Sequence, residues 1–230
     1  MSRHLLSQFY QLLIHPLFDT VFPPLCYICY QPLSRDRKII CESCWGCIPK
    51  FDGILDPSLK SRRLNNLLIL FEFDDIVRLM IHLFKYKNHL TLADYFALEA
   101  KERYSEMLRN AYQAIIPVPL HQTRRRERGY NQSEQICMAL SKLIHVPVRS
   151  DYLVRIHPTK SQTRMSREDR DKNVKNAFYS PSGMQENRIL LVDDVITTGS
   201  TIEACSNSLK RAGVKEVDIL AVAHPVELFL

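Results

Sequence analysis

The stretch RILLVDDVITTGST, residues 188–201, decides how this chain is read. Ile189 to Val192 is a short apolar run of the kind that fills a parallel strand covered on both faces. Two carboxylates, Asp193 and Asp194, follow at its carboxyl end. Thr197-Thr198-Gly199-Ser200-Thr201 then opens a helix with Ile202, Cys205, Leu209 and Ala212 inward and Gly213 as its stop. Backbone N–H groups at a helix start, with Gly199 allowing close approach and hydroxyls alongside, suit a dianionic phosphate. Neighbouring carboxylates would repel that phosphate, so they should face hydroxyls or a cation. A ribose 5-phosphate meets both demands, with its diol on the acids and its phosphate in the loop, and Mg2+ is at home near such oxygen ligands. A Walker P-loop needs Gly-Lys, and the chain holds no Gly-Lys dipeptide; the G-x-G-x-x-G dinucleotide fingerprint is also absent. A receiver-type Asp pair leaves the Thr-Thr-Gly-Ser-Thr run unexplained, and the bland alternative is a capped helix after a strand.

Upstream of this stretch the charge is unevenly spread. Residues 111–187 carry 13 Lys and Arg against 7 Asp and Glu, while the rest of the chain is balanced, so the whole net charge of +6 arises there. Arg124, Arg125, Arg126 and Arg128 form one cluster, and Lys160, Arg164, Arg167 and Arg170 a second. A local basic surface of this kind points to a polyanion, either pyrophosphate or nucleic acid. The 230 residues, 46% hydrophobic and 24% charged, suit a globular protein with one core and a small accessory module. No apolar run approaches the roughly 18 residues of a membrane span, so an integral membrane protein is not expected.

Between the N-terminus and the basic region, Leu67 to Phe71 reads as a buried strand. Asp74 and Asp75 follow as helix-start residues, and Ile76, Val77, Met80, Ile81 and Phe84 make a helical stripe behind them. A second helix is expected over about 91–109, and both helices read as core and scaffold. Leu5, Leu6, Phe9, Leu12 and Leu13 predict an amphipathic helix within residues 1–19. No cleavage site follows it, which makes the expected location cytoplasmic.

Five of the seven cysteines fall within 22 residues: Cys26, Cys29, Cys41, Cys44 and Cys47. They spell C-x2-C-x11-C-x2-C with a further x2-C. Two such knuckles supply the four thiolates of a tetrahedral Zn2+ site, and in a reducing compartment metal is favoured over a disulfide. The expected ligands are Cys26, Cys29, Cys41 and Cys44, with Cys47 the alternative to Cys44. Four thiolates fill the coordination sphere, so the zinc should be structural. Cys137 and Cys205 read as core residues.

VDDVITTGST resembles the PRPP-binding signature of type I phosphoribosyltransferases. With PVPLHQTRRRERGYNQ (117–132), TKSQTRMSREDRDKNVKNAF (159–178) and the cysteine knuckles, the chain is similar to the ComF family over roughly 20–230. That family joins a zinc-binding N-terminus to a phosphoribosyltransferase-like body and is associated with competence. The resemblance implies an α/β fold: a type I phosphoribosyltransferase-like domain with a largely parallel sheet flanked by helices, behind a small zinc-ribbon-like module. Behind the helix expected over 1–19, the chain divides into the zinc module 20–50, a helical connector or possible hood 51–110, and a phosphoribosyltransferase-like PRPP-binding domain 111–230.

It further implies that Asp193 and Asp194 contact the ribose hydroxyls and that Thr197, Thr198, Gly199, Ser200 and Thr201 hold the 5-phosphate. The turn after the strand Ile115 to Pro119 would be the pyrophosphate loop, and about 157–173 a mobile loop over the site. If the protein catalyses, pyrophosphate is displaced from Mg2+-bound PRPP, with Arg128 and Arg164 as candidates to stabilise the leaving group. The other reading is a PRPP-binding protein that handles incoming single-stranded DNA in natural transformation together with DNA-uptake proteins. Arg124, Arg125, Arg126 and Tyr130 are its candidate nucleic-acid contacts. An adaptor that has lost ligand binding is a third reading, against which the intact phosphate loop stands.

Overall fold

Ile189, Leu190, Leu191 and Val192 are each fully buried, because the strand they form lies inside a sheet and is covered on both faces. A computed structural model describes residues 23–33, 39–53, 59, 65–109, 111–156 and 177–225. The expected helix over 1–19, and the basic segment 157–173 with Lys160, Arg164, Arg167 and Arg170, lie outside the described residues. The chain divides at the Ile48–Pro49 junction into two compact units.

In the first unit the described backbone turns twice. Tyr30 N–H donates to the Cys26 carbonyl and Cys26 N–H to that of Gln31, closing the first knuckle. The second leads into a short helix, α1 (Glu42–Gly46).

The second unit is built on β1 (Leu67–Glu72), α2 (Asp75–Tyr86), α3 (Leu92–Arg103), α4 (Ser105–Leu108), β2 (Ala114–Pro117), α5 (Gln122–Arg128), α6 (Gln132–Ile144), β3 (Val154–Arg155), β4 (Phe178–Tyr179), β5 (Arg188–Val195), α7 (Ser200–Ala212) and β6 (Glu216–His224). Its main sheet runs β1-β6-β5-β2, every pair parallel, with Leu68 opposite Leu220, Leu191 opposite Ile219 and Ile115 opposite Leu190. A parallel bridge from Ile115 to Val148 extends the β2 edge, and β3 and β4 form a separate antiparallel pair. On one face Ile69, Ile116, Leu191 and Ile219 pack with Ile202, Cys205 and Leu209 of α7. The sheet thus reaches back to residue 67, into the segment expected to be a connector.

Local chemistry explains the helix limits. Asp74 caps α2 by accepting from Val77 N–H at 2.7 Å, and Val77, Met80, Ile81 and Phe84 turn inward. The single helix expected over 91–109 is broken at Tyr104. There the Tyr104 hydroxyl donates to the Ile69 carbonyl, and Arg103 donates to those of Leu70 and Phe51. The break places two side-chain donors over the carbonyls of edge strand β1.

At the amino end of β6, the fully buried Asp218 accepts from five donor atoms. Asn66 N–H and Nδ2 bind Oδ1 at 3.1 and 3.2 Å. Tyr112 Oη, Arg188 Nε and Arg188 Nη2 bind Oδ2 at 2.8, 2.9 and 2.6 Å. Removing this carboxylate takes the acceptor from the buried Tyr112 hydroxyl and the half-buried Arg188 guanidinium, so Asp218→Ala is expected to cost about 3 kcal/mol in urea unfolding. A loss below about 0.5 kcal/mol, the scale of an ordinary surface change, would show that the network does not hold the sheet.

Candidate functional site

The carboxyl ends of β5 and β2 place the acidic pair and the basic turn side by side. Asp193 accepts from Asp194 N–H at 2.9 Å and from Ser133 Oγ, at the start of α6, at 3.2 Å. Burial, and then the charge of Asp194, push the Asp193 carboxyl up to about 7. Asp194 is paired instead: its Oδ2 lies 2.7 Å from Lys85 Nζ, with both side chains largely covered. The two carboxylates are therefore unequal.

The loop behind them is pinned from below. Ile196 N–H donates to the Ala223 carbonyl at 3.0 Å, and the Ile196 carbonyl lies 2.9 Å from His224 Nδ1. A carbonyl only accepts, so this contact puts the buried His224 proton on Nδ1. Thr197 is exposed, while Thr198 Oγ1 and Ser200 Oγ lie 2.9 Å apart. Gly199 takes φ +76°, a left-handed conformation that a side chain would strain, and its carbonyl receives Glu203 N–H at 2.9 Å. Ser200 starts α7, 13 residues long, and Thr201 is half-buried in its first turn. A helix start supplies N–H groups that the helix itself does not use.

The turn expected to be a loop after β2 is partly helical. His121 caps α5 by accepting from Thr123 N–H, and Gly129 closes it at φ +80°. Arg124, Arg125 and Arg126 stand exposed on this helix, Arg125 with Glu134 at 3.4 Å. Arg128 turns the other way: it donates to Gln132 Oε1 at 3.0 Å and to Tyr86 Oη at 3.2 Å, its guanidinium 5.1 Å from the Tyr86 ring centre. Tyr130 is half-buried, and its hydroxyl donates to the Phe84 carbonyl.

A cavity of 180 Å³ opens beside this turn, lined by Pro119, Leu120, Gln122, Arg125, Glu134 and Arg155 among others. Arg155 lies over the Phe178 ring at 5.4 Å, and burial, then the charge of Arg124, draws its pKa below the ordinary value. Two guanidinium groups in one concave site suit a polyanion.

In the first unit, the sulfurs of Cys26, Cys29, Cys41 and Cys44 all lie within 4.8 Å of one another. Tetrahedral zinc with Zn–S bonds of about 2.3 Å would set its sulfurs about 3.8 Å apart. Cys29 and Cys41 are 3.7 Å apart, so the four thiols fit the ion. Cys26 accepts from the N–H groups of Ile28 and Cys41. Burial raises its thiol, but backbone donors outweigh burial and bring it down to about 6, while burial and the other thiols push Cys44 up. Cys47, the alternative ligand, is the exposed C-cap of α1 and stands outside this group.

Lys85, Ser133, Arg155 and His224 were not legible as site residues. Lys85 and Ser133 lie 60 residues or more before the acids, Arg155 lies outside both arginine clusters, and His224 ends a strand that reads as core. Cys137 and Cys205 are fully buried. Among the described residues no helix is long and apolar enough to cross a membrane.

The family model of the phosphoribosyl transferase domain matches residues 126–226. Competence protein F of Haemophilus influenzae is 33% identical over 208 residues, covering 87% of this chain and 85% of that protein. DNA utilization protein YhgH of Escherichia coli is 28% identical over 220 residues, covering 86% and 95%. Competence protein ComFC of Bacillus subtilis is 24% identical over 200 residues, covering 82% and 79%.

Proposed function

The chain belongs to the ComF family of competence-associated proteins with a phosphoribosyltransferase domain, and from that premise we propose that it is a cytoplasmic PRPP-binding protein that handles incoming single-stranded DNA. One observation carries the PRPP reading: an acidic pair and a glycine-opened helix start follow each other at the carboxyl end of one buried parallel strand. Asp193 and Asp194 take the ribose hydroxyls, and Thr197 to Thr201 take the 5-phosphate. The pyrophosphate faces the basic turn, where Arg128 and, from the segment outside the described residues, Arg164 neutralise it. Mg2+ arrives with PRPP and shares that neutralisation. The cysteine cluster holds a structural Zn2+.

Calorimetric titration of PRPP with Mg2+ into the zinc-loaded protein tests the reading. Saturable one-site binding is expected, and no binding to the folded protein would overturn it. The cavity lined by Arg125 and Arg155 also favours a transfer reading, in which it seats the departing pyrophosphate. Pyrophosphate release on adding an acceptor would identify that activity.

For DNA, the observation is the exposed row Arg124, Arg125 and Arg126 on α5. Charge carries this contact, with the half-buried Tyr130 ring, its hydroxyl held by the Phe84 carbonyl, as the candidate stacking surface. Changing the three arginines to Ala is expected to weaken single-stranded DNA binding and to reduce the slope of log K against log salt by about 2, at roughly 0.7 per phosphate contact. An unchanged slope would remove α5 from the DNA site.

A further inference from the structure

The last turn of α2 touches three parts of the site with three successive residues. The Phe84 carbonyl receives the Tyr130 hydroxyl, Lys85 Nζ holds Asp194 Oδ2 at 2.7 Å, and Tyr86 carries the Arg128 guanidinium. Lys85 thus stands where the acidic end of β5 meets the basic turn after β2. On the reading above, this is where the ribose diol gives way to the pyrophosphate. Asp193 is already engaged by Ser133 Oγ and by Asp194 N–H, which leaves Asp194 as the carboxylate with most to offer a diol. It is the one that Lys85 occupies.

A neutral diol is a poor competitor for a largely covered carboxylate paired with an ammonium. Taking Asp194 would leave the ammonium without its partner, and an uncompensated covered charge is costly. A pyrophosphate changes the balance, because its own negative charge can receive the ammonium as the diol takes the acid. We propose that Lys85 is a latch on Asp194, released by the pyrophosphate of the ligand, so that the site selects ribose 5-phosphates with pyrophosphate at the anomeric carbon over ribose 5-phosphate itself. This rests on the PRPP reading and adds the source of its selectivity. Lys85 is a specificity-determining residue supplied by an element that reads as scaffold.

The test is the ratio of two affinities, for PRPP and for ribose 5-phosphate, measured at fixed Mg2+ in wild type, Lys85→Met and Lys85→Gln. In both variants ribose 5-phosphate is expected to bind about tenfold tighter and PRPP about tenfold weaker, each step being the scale of one charged contact. The preference for PRPP then shrinks by about a hundredfold. A purely structural lysine would weaken both ligands together and leave the ratio unchanged, which would overturn the latch. Equal affinities of wild type and variants would overturn it as well. Tighter binding of ribose 5-phosphate cannot arise from misfolding, so the result does not depend on identical stability. Failure of wild type to bind PRPP would instead strike the underlying reading.

Discussion

Changing Asp193 and Asp194 together to Asn is expected to weaken PRPP binding at least a hundredfold while the parallel sheet stays folded. Hydrogen bonds to charged groups contribute about 1.5–3 kcal/mol each, so losing one at each acid removes about 3–6 kcal/mol. Each 1.4 kcal/mol is about tenfold in affinity, so the loss reaches a hundredfold or more. The side-chain volume is nearly kept, and the strand residues Ile189 to Val192 that carry the pair are fully buried. The two single changes should differ. Asp193→Asn also disturbs the bonds from Ser133 and Asp194 N–H, whereas Asp194→Asn uncouples Lys85. Calorimetry, with circular dichroism on each variant, makes the comparison. A folded double variant that binds PRPP like wild type would mean the diol is not held here.

The same pair has a pH signature with a definite sign. Burial and the Asp194 charge raise the Asp193 carboxyl in the folded chain to about 7, above its ordinary 3.8. The folded state therefore holds a proton that the unfolded state has lost, and stability falls as pH rises from about 4 through about 7. Asp193→Asn carries no such proton. Its stability relative to wild type should improve from pH 5 to pH 8 in urea unfolding. Parallel curves would show that Asp193 ionises as an ordinary carboxyl.

The candidate phosphate loop was readable as a pattern because its chemistry is contiguous: strand, two acids, glycine and helix start occupy 14 successive residues. The cysteine knuckles were readable for the same reason, since C-x2-C places two sulfurs together by local turns alone. Local pattern could not choose between Cys44 and Cys47; in the structure Cys44 lies with the other three sulfurs and Cys47 is exposed at the C-cap of α1. Lys85 gave no signal because a lysine near a helix end normally serves the helix dipole. Only the parallel order β1-β6-β5-β2, followed by α2, carries it to Asp194. His224 ends an apolar strand and reads as core, and its tie to Ile196 exists only once β6 lies beside β5. The break at Tyr104 was hidden for a related reason. Helix propensity runs through it, and the carbonyls that draw Arg103 and Tyr104 belong to a strand more than thirty residues away.

Removal of zinc should be the most damaging single change to the N-terminal unit. Among its described residues the buried aliphatic side chains are Leu33, Ile39, Ile40 and Ile48, too few to offset the entropy of ordering the chain around them. Structural zinc supplies about 10–16 kcal/mol of binding free energy in small thiolate modules at neutral pH, and in such modules binding and folding are one event. Cys26 is the critical ligand: fully buried, it also receives the N–H groups of Ile28 and Cys41, so its sulfur orders both knuckles. Wild type is expected to carry one zinc per chain by elemental analysis, and Cys26→Ser to carry almost none. Hydrogen exchange in the variant should lose protection across 23–33 and 39–48, while the amides of β5 and β6 stay protected, because their bonds lie within their own sheet. Cys47→Ser should keep both the metal and the protection. A metal-free protein that protects 23–33 and 39–48 as wild type does would show that the four thiols hold the unit together without an ion.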